Sequence, residues 1–208
     1  YLPVENMNLL SRVGNSDFVR DLDKLGLNNW QARKANVRKK IKDMAEKLIR
    51  VAAQREIILT EKLSLPNYYD EFSKQFPFEL TDDQDTAIND IISDLETGKL
   101  MDRLICGDVG FGKTEVALRA SFIVANSGYQ VALVAPTTIL VKQHIKSFKS
   151  RFKNTTVKVV GLSRMTNNKD RLIIKAGLKS GDINIVIGTH ALLSNDVDFN
   201  NLGLLIID

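Results

Sequence analysis

The sequence contains very few of the residues that form covalent cross-links or metal clusters. Cys106 is the single cysteine among 208 residues, which excludes an internal disulfide. His144 and His190 are its two histidines, too few to complete a Cys/His zinc cluster with one thiol. We expect Cys106 to be a buried strand residue. Neither histidine has a carboxylate or cysteine at ligand spacing, so we assign neither a catalytic role.

Long hydrophobic runs are also missing. No stretch approaches the ~20 apolar residues that span a bilayer, and the first residues lack the basic-then-apolar order of a secretory signal. We therefore expect a cytoplasmic protein with no membrane partner. Its length and 44% apolar content suit one α/β domain with a smaller appendage.

Positive charge is concentrated in one segment. The net charge is +4, yet residues 30–62 hold ten Lys and Arg against four Asp and Glu. Such an excess can indicate contact with nucleic acid or an acidic protein, or it can be the solvated face of a helix. Both interpretations remain open.

The basic segment has helical periodicity. Apolar residues recur at spacings of three and four, which predicts an amphipathic helix from residue 30 to about residue 59. Asn28 or Asn29 can cap this helix, and Pro66 lies beyond its end. Residues 2–4 predict a short strand upstream. The residues that form the stripe are Val37, Ile41, Met44, Leu48, Val51 and Ala52.

Beyond residue 72, short apolar runs alternate with helical patterns. This alternation predicts an α/β fold with a parallel sheet covered by helices on both faces. The predicted helices are residues 81–95, 113–126, 139–152 and 170–178. The predicted strands are residues 104–106, 131–135, 157–161, 183–187 and 204–207.

A complete phosphate-binding motif follows the predicted strand at residues 104–106. Its glycines permit backbone angles that let successive amides converge on phosphate oxygens, and the next helix adds its positive N-terminal end. Lys113 is expected to neutralise the β- and γ-phosphates of ATP, and the Thr114 hydroxyl to bind Mg²⁺. The alternative is a glycine-rich turn without a ligand. The motif consists of Gly107, Asp108, Val109, Gly110, Phe111, Gly112, Lys113 and Thr114.

A P-loop also needs a carboxylate to hold the magnesium, from the end of a neighbouring strand. Asp208 follows the apolar run 204–207 and is the candidate. Gln84 permits two interpretations. It forms a capping box with Thr81, or it presents its amide to adenine, which requires both a donor and an acceptor.

These motifs resemble the first motor lobe of the bacterial transcription-repair coupling factors (the Mfd family), which are superfamily 2 DNA translocases. The similarity extends over nearly all of the chain. It is carried by residues 101–117 around the P-loop, 135–138 with Gln143 and His144 as motif Ia, 187–193 as motif Ib, and 199–208 leading into the DEEH box. Residues 76–84 resemble the Q-motif region, which supports a nucleotide-contacting role for Phe76 and Gln84.

The RecG branch-migration helicases share much of this lobe. The flanking residues favour the coupling factors, since residues 1–27 resemble the end of their RNA-polymerase-interacting domain and residues 28–64 their linker helix. Residues 65–208 would then be a RecA-like lobe that stops at its Walker B strand. Phe111 in the P-loop also suits the coupling factors better.

The resemblance implies a function for the parent protein. It would use ATP and Mg²⁺ to move on double-stranded DNA, displace stalled RNA polymerase, and recruit the excision-repair damage-recognition subunit through regions outside this chain. This chain ends after the first residue of the DEEH box, so we expect it to be inactive in isolation, because two lobes are needed to complete the cleft.

The family motifs also suggest residues that contact the DNA backbone. Hydroxyl groups and free amides at strand ends suit phosphate oxygens, although threonine at such positions is also a common helix cap. Arg164 could reach the same backbone or be an ordinary surface residue. The DNA-binding candidates are Thr137, Thr138, Gln143, Arg164, Thr189 and His190.

Two further functional classes remain open. The chain could act chiefly as an RNA-polymerase-binding module with a passive lobe. A P-loop metabolite kinase would fit the nucleotide motif, but not residues 137–144 or the basic helix.

Overall fold

The computed structural model describes residues 28–208. The predicted strand at residues 2–4 and the proposed polymerase-domain segment at 1–27 lie outside the described residues. The chain divides after Gln54 into two units, which are described separately.

The first unit contributes most of a long helix, α1 (Asn28–Ile57). The predicted helix is confirmed, although Asn28 and Asn29 lie inside its first turn rather than before it. Val37, Ile41 and Leu48 of the predicted stripe are all exposed.

The second unit is a parallel α/β sheet with flanking helices, as the alternating pattern predicts. Its four strands lie in the order β2, β3, β1, β4, and every pairing is parallel. The strands are β1 (Gln130–Val134), β2 (Val159–Leu162), β3 (Ile185–Gly188) and β4 (Leu202–Ile207). The helices are α2 (Tyr69–Lys74), α3 (Asp82–Thr97), α4 (Lys113–Asn126), α5 (Thr138–Arg151) and α6 (Asn168–Ser180), with a short 3-10 helix at His190–Leu193.

The core lies on both faces of this sheet. The central strands β1 and β3 are buried along their whole length, as expected for a sheet covered on two sides. Helix α4 is buried at every residue but one from 115 to 125, and Phe122 stacks on Phe72 of α2 with ring centroids 4.1 Å apart. One consequence is that the start of α4, which carries the P-loop motif, is fixed by the main hydrophobic core.

The predicted strand at residues 104–106 is wrong. Residues 101–108 have no helix or strand conformation, and Leu104 is 88% exposed. A short apolar run becomes a strand only when a neighbour pairs with its backbone, and no described segment does so here. The prediction that Cys106 is buried fails for the same reason, because the thiol is exposed.

Side-chain ion pairs connect this segment to neighbouring elements. Asp102 accepts a hydrogen bond from Arg55, and Arg103 lies between Asp90 and Asp94 of α3. The hydrogen bond to Asp94 raises the pKa of the Arg103 guanidinium, and Asp90 adds to the effect.

Among residues 28–208, no helix combines the length and apolar character needed to cross a membrane.

Candidate nucleotide and DNA site

The P-loop connects the irregular segment at residues 101–108 to α4. Gly110 and Gly112 have φ values of +87° and +70°, in the left-handed region that favours glycine. Gly112 is the N-cap of α4 and supplies no side-chain hydrogen bond to the helix start. The first amides of α4 are thus uncapped by a side chain, which is the arrangement that binds phosphate at a helix N-terminus.

Lys113 lies over the loop. Its Nζ is 2.5 Å from the carbonyl oxygen of Gly107 and 2.8 Å from that of Asp108. A Cβ added at Gly107 would be 3.6 Å from the Lys113 Cγ, so the aliphatic part of the lysine packs along the loop. The glycines, the uncapped helix and the lysine together fit a triphosphate. The other loop side chains project outward, with Val109 99% exposed.

Gln84 serves two contacts at once. The capping box with Thr81 is present, since Gln84 Oε1 accepts from the Thr81 amide at 3.0 Å and Thr81 Oγ1 accepts from the Gln84 amide at 3.3 Å. Its Nε2 donates to the carbonyl oxygen of Phe111 at 2.7 Å. The capping interpretation is therefore confirmed. The amide also lies against the P-loop, and the contact with adenine stays a prediction.

Asp208 follows β4, whose register beside β1 brings it to the carboxyl end of the sheet. Its amide donates to the carbonyl oxygen of Val134 at 2.9 Å. The Asp208 carboxylate lies 2.9 Å from Nε2 of His144 on α5. No carboxylate lies at ligand spacing from His144 in the sequence, but the fold brings Asp208, 64 positions away, next to it.

A magnesium ion would have a hydroxyl and a carboxylate available here. Thr114 is half-buried at the first turn of α4, and Asp208 is exposed at the end of β4. Both are oxygen donors of the type that Mg²⁺ prefers when phosphates and water complete its shell. Within residues 28–208, no cluster of three or more His, Cys, Asp and Glu could hold a metal without such help.

The DNA-binding candidates occupy different environments. Thr137 is the N-cap of α5 and accepts from the Leu140 amide at 3.2 Å, so its capping role is confirmed. Gln143 is exposed on α5. Arg164 and His190, on neighbouring strand ends, are both exposed, and Arg164 Nη2 lies 3.3 Å from His190 Nε2.

Thr189 differs from the other candidates because it is buried. It is 4% exposed, and its hydroxyl has no hydrogen-bond partner among the described residues. A contact between this hydroxyl and DNA would require local rearrangement, so its role stays a prediction.

Sequence reasoning missed a second set of polar residues beside the P-loop. Glu115, directly after Thr114, is buried and binds Arg119 and Arg151. Burial alone would lower the pKa of Arg119, but the hydrogen bond to Glu115 raises it above its ordinary value. The available signal was the presence of charged residues among the apolar residues of the helix predicted at 113–126.

Curated relatives match the whole chain. The transcription-repair-coupling factors of Rickettsia bellii, Haemophilus influenzae and Escherichia coli are 49%, 48% and 42% identical to it over 213, 214 and 212 residues. The chain spans about a fifth of their length, 19%, 18% and 18%. The resemblance to this group that the residues indicated is confirmed.

A solved structure agrees on the fold. The structure of RecG bound to a three-way DNA junction matches with a TM-score of 0.69 and 38% identity, covering 75% of this chain and 22% of RecG.

The model of the DEAD/DEAH box helicases matches residues 81–208, from the capping threonine of α3 to the aspartate after β4. The chain therefore belongs to the DEAD/DEAH box helicase family.

Proposed function

We propose that this chain is the first motor lobe, with its leading segment, of an ATP-dependent translocase on double-stranded DNA. In the complete protein this motor would displace stalled RNA polymerase and couple transcription to excision repair. The name shared by the curated relatives supports this choice over a RecG-like helicase, because they match the entire chain. A DEAD/DEAH box helicase domain also argues against a metabolite kinase.

The observation that carries the proposal is the P-loop at the start of α4. Lys113 rests on two backbone carbonyls that triphosphate oxygens could replace as its partners. The uncapped amides after Gly112 would add to the same charge stabilisation. The buried helix α4 positions the Lys113 ammonium and these amides before nucleotide binds. Little ordering of the protein is therefore needed on binding.

Thr114 and Asp208 would hold magnesium, which when bound would supply positive charge at the β- and γ-phosphates. Phe76 and Gln84 would lie on the adenine side. Thr137, Thr138, Gln143, Arg164, Thr189 and His190 would lie along the DNA backbone. Such contacts are independent of base sequence and weaken as salt rises.

The remaining partners belong to the complete protein. RNA polymerase would be bound through the leading segment and the excision-repair subunit through regions outside this chain, in the cytoplasm. The lobe alone would hydrolyse ATP poorly, because charge stabilisation from a second lobe is missing.

The test is Lys113→Ala in the complete protein. We expect loss of Mg-ATP binding and of ATP-driven displacement of stalled polymerase, because the ammonium over the phosphates is removed. Lys153→Ala, at an exposed lysine after α5, is the matched control and should retain both activities. Unchanged displacement in the Lys113 variant would refute the nucleotide assignment.

A further inference from the structure

A buried ion cluster joins the P-loop helix to α5. The Glu115 carboxylate, 2% exposed, accepts from Arg119 Nε at 2.9 Å and from Arg151 Nη2 at 2.8 Å. Burying a carboxylate is costly unless it is paired, so the cluster strongly favours one arrangement of these side chains. Glu115 follows Thr114 directly, which places this arrangement one residue from the phosphate site.

Arg151 extends from this cluster to the aromatic residues of the neighbouring segment. Its Nη2 also donates to the carbonyl oxygen of Phe72 at 3.1 Å. The guanidinium carbon lies 4.8 Å from the Phe72 ring centroid and 5.8 Å from that of Phe76, both within the range of a cation-π contact. Arg151 thus contacts both Glu115 and Phe76.

The segment between Phe76 and Gln84 is therefore held at both ends. Gln84 donates to the P-loop carbonyl of Phe111, while Phe76 lies against the arginine that Glu115 holds. Phe76 is half-buried, and its ring meets that of Phe78 edge-on at 5.5 Å. Neither anchor is needed merely to form α3, which begins with its own capping box.

We propose that Arg151 is a positioning residue that fixes the Phe76 ring relative to the P-loop, and that the preference for an adenine base depends on it. This inference rests on the proposed function, since it requires that Phe76 face the nucleotide base. Arg151 itself would touch neither the base nor the phosphates.

The alternative is that the cluster only holds α5 against α4. In that case, replacement of Arg151 would weaken the binding of every nucleotide equally, in proportion to the fall in stability. A positioning role instead predicts that only the part of the binding affinity contributed by the base is lost. Binding of Mg-ATP, Mg-CTP and Mg-tripolyphosphate separates the two, because tripolyphosphate has no base.

The experiment measures these three dissociation constants for the complete protein and its variants. Arg151→Met should lower the preference for ATP over CTP about fivefold, within the range of one cation-π contact, and leave tripolyphosphate affinity within about twofold. Phe76→Leu should cause a similar loss. Arg151→Lys should be intermediate, because lysine keeps the charge but lacks the planar fork.

The matched control is Arg171→Met. Arg171 is also a half-buried arginine and donates to the carbonyl oxygen of Ser163 at 3.3 Å, but it lies on α6 and contacts neither Glu115 nor Phe76. Its ATP preference should be unchanged. In the double variant Phe76→Leu with Arg151→Lys, the losses should not add, since both act through the same ring.

The outcomes distinguish these possibilities. An unchanged ATP preference in the Arg151 variants, or an equal loss for all three ligands, would overturn the positioning role. If Arg151→Met does not fold, Arg151→Lys and Phe76→Leu provide the same comparison. By contrast, if the starting protein does not bind Mg-ATP, or binds it independently of Lys113, the proposed function itself fails.

Discussion

His144 Nε2 lies 2.9 Å from Asp208 Oδ2, although the two residues are 64 positions apart in the sequence. The histidine is 12% exposed on α5, and the aspartate follows β4. The contact occupies one carboxylate oxygen. The other has no partner among the described residues. Since a second residue that orients a carboxylate also tunes the metal it binds, His144 has a specific expected role.

The first prediction concerns His144→Ala in the complete protein. The Asp208 carboxylate would lose its orienting partner, so we expect a fall in DNA-stimulated ATP hydrolysis of about tenfold. The Mg²⁺ concentration for half-maximal activity should rise, whereas the affinity for metal-free tripolyphosphate should not change. Steady-state ATPase assays across a magnesium titration measure the first two quantities.

Lys146→Ala is the matched control, because Lys146 is exposed two positions further along α5. It should leave the magnesium dependence unchanged. The same magnesium dependence in the His144 variant as in the starting protein would show that the contact does not orient a metal ligand.

The second prediction separates the two roles of Gln84. Thr81→Ala removes half of the capping box and should lower the free energy of unfolding by about 1 kcal/mol without altering ATP affinity. Gln84→Ala should cost a similar amount and also weaken ATP binding severalfold, because it removes the 2.7 Å hydrogen bond to Phe111 in the P-loop. Chemical denaturation and nucleotide titration measure the two effects. Equal ATP affinities in both variants would show that Gln84 acts only as a helix cap.

Much of the fold could be predicted because local signals determine it. Helix α4 has its predicted limits, since the P-loop starts it and a largely apolar stretch follows. Helix α5 is within one residue of prediction, because Thr137 caps it. Helix α2 has six residues, fewer than two turns, and shows no readable period.

The parts that could not be predicted depend on tertiary contacts. Residues 104–106 have the composition of a strand. Strand formation, however, also requires a neighbouring segment that pairs with the backbone, and composition does not reveal whether one is present. The contacts of His144 with Asp208, and of Glu115 with Arg151, join residues 64 and 36 positions apart. Spacing along the chain does not specify such distances, so the sequence indicated the P-loop but not the residues that support it.

The third prediction concerns acid stability. A hydrogen bond from Lys175 lowers the pKa of Asp196 to about 2, with Ser194 contributing. Because the folded pKa lies below the unfolded one, the stabilisation is present above the ordinary value of 3.8 and disappears as the pH falls towards 2. Asp196→Asn should therefore flatten the decline of melting temperature between about pH 4 and pH 2. The effect should be small, since the Asp196 side chain is 63% exposed and solvent screens the pair. An identical decline in both proteins would contradict the pairing.

The last prediction tests whether the basic helix α1 contacts DNA. Lys39, Lys40 and Lys42 are exposed, and Lys42 lies 3.8 Å from Glu46. If these lysines neutralise DNA phosphates, changing all three to glutamate should make DNA affinity less sensitive to salt. The slope of log affinity against log salt should decrease by roughly 0.9 for each phosphate that the variant no longer neutralises. Fluorescence anisotropy on duplexes of two unrelated sequences measures the slope and its independence of sequence.

Reversal of three exposed lysines elsewhere, Lys74, Lys99 and Lys153, is the matched control, because it changes the net charge equally. A general charge effect would shift affinity in both triple variants, whereas direct contact changes the slope in the α1 variant alone. The same slope in the α1 variant and the starting protein would identify α1 as a solvated or linking helix. Its positive charge would then serve solubility or an acidic protein partner, because a helix that neutralises phosphates must release counterions.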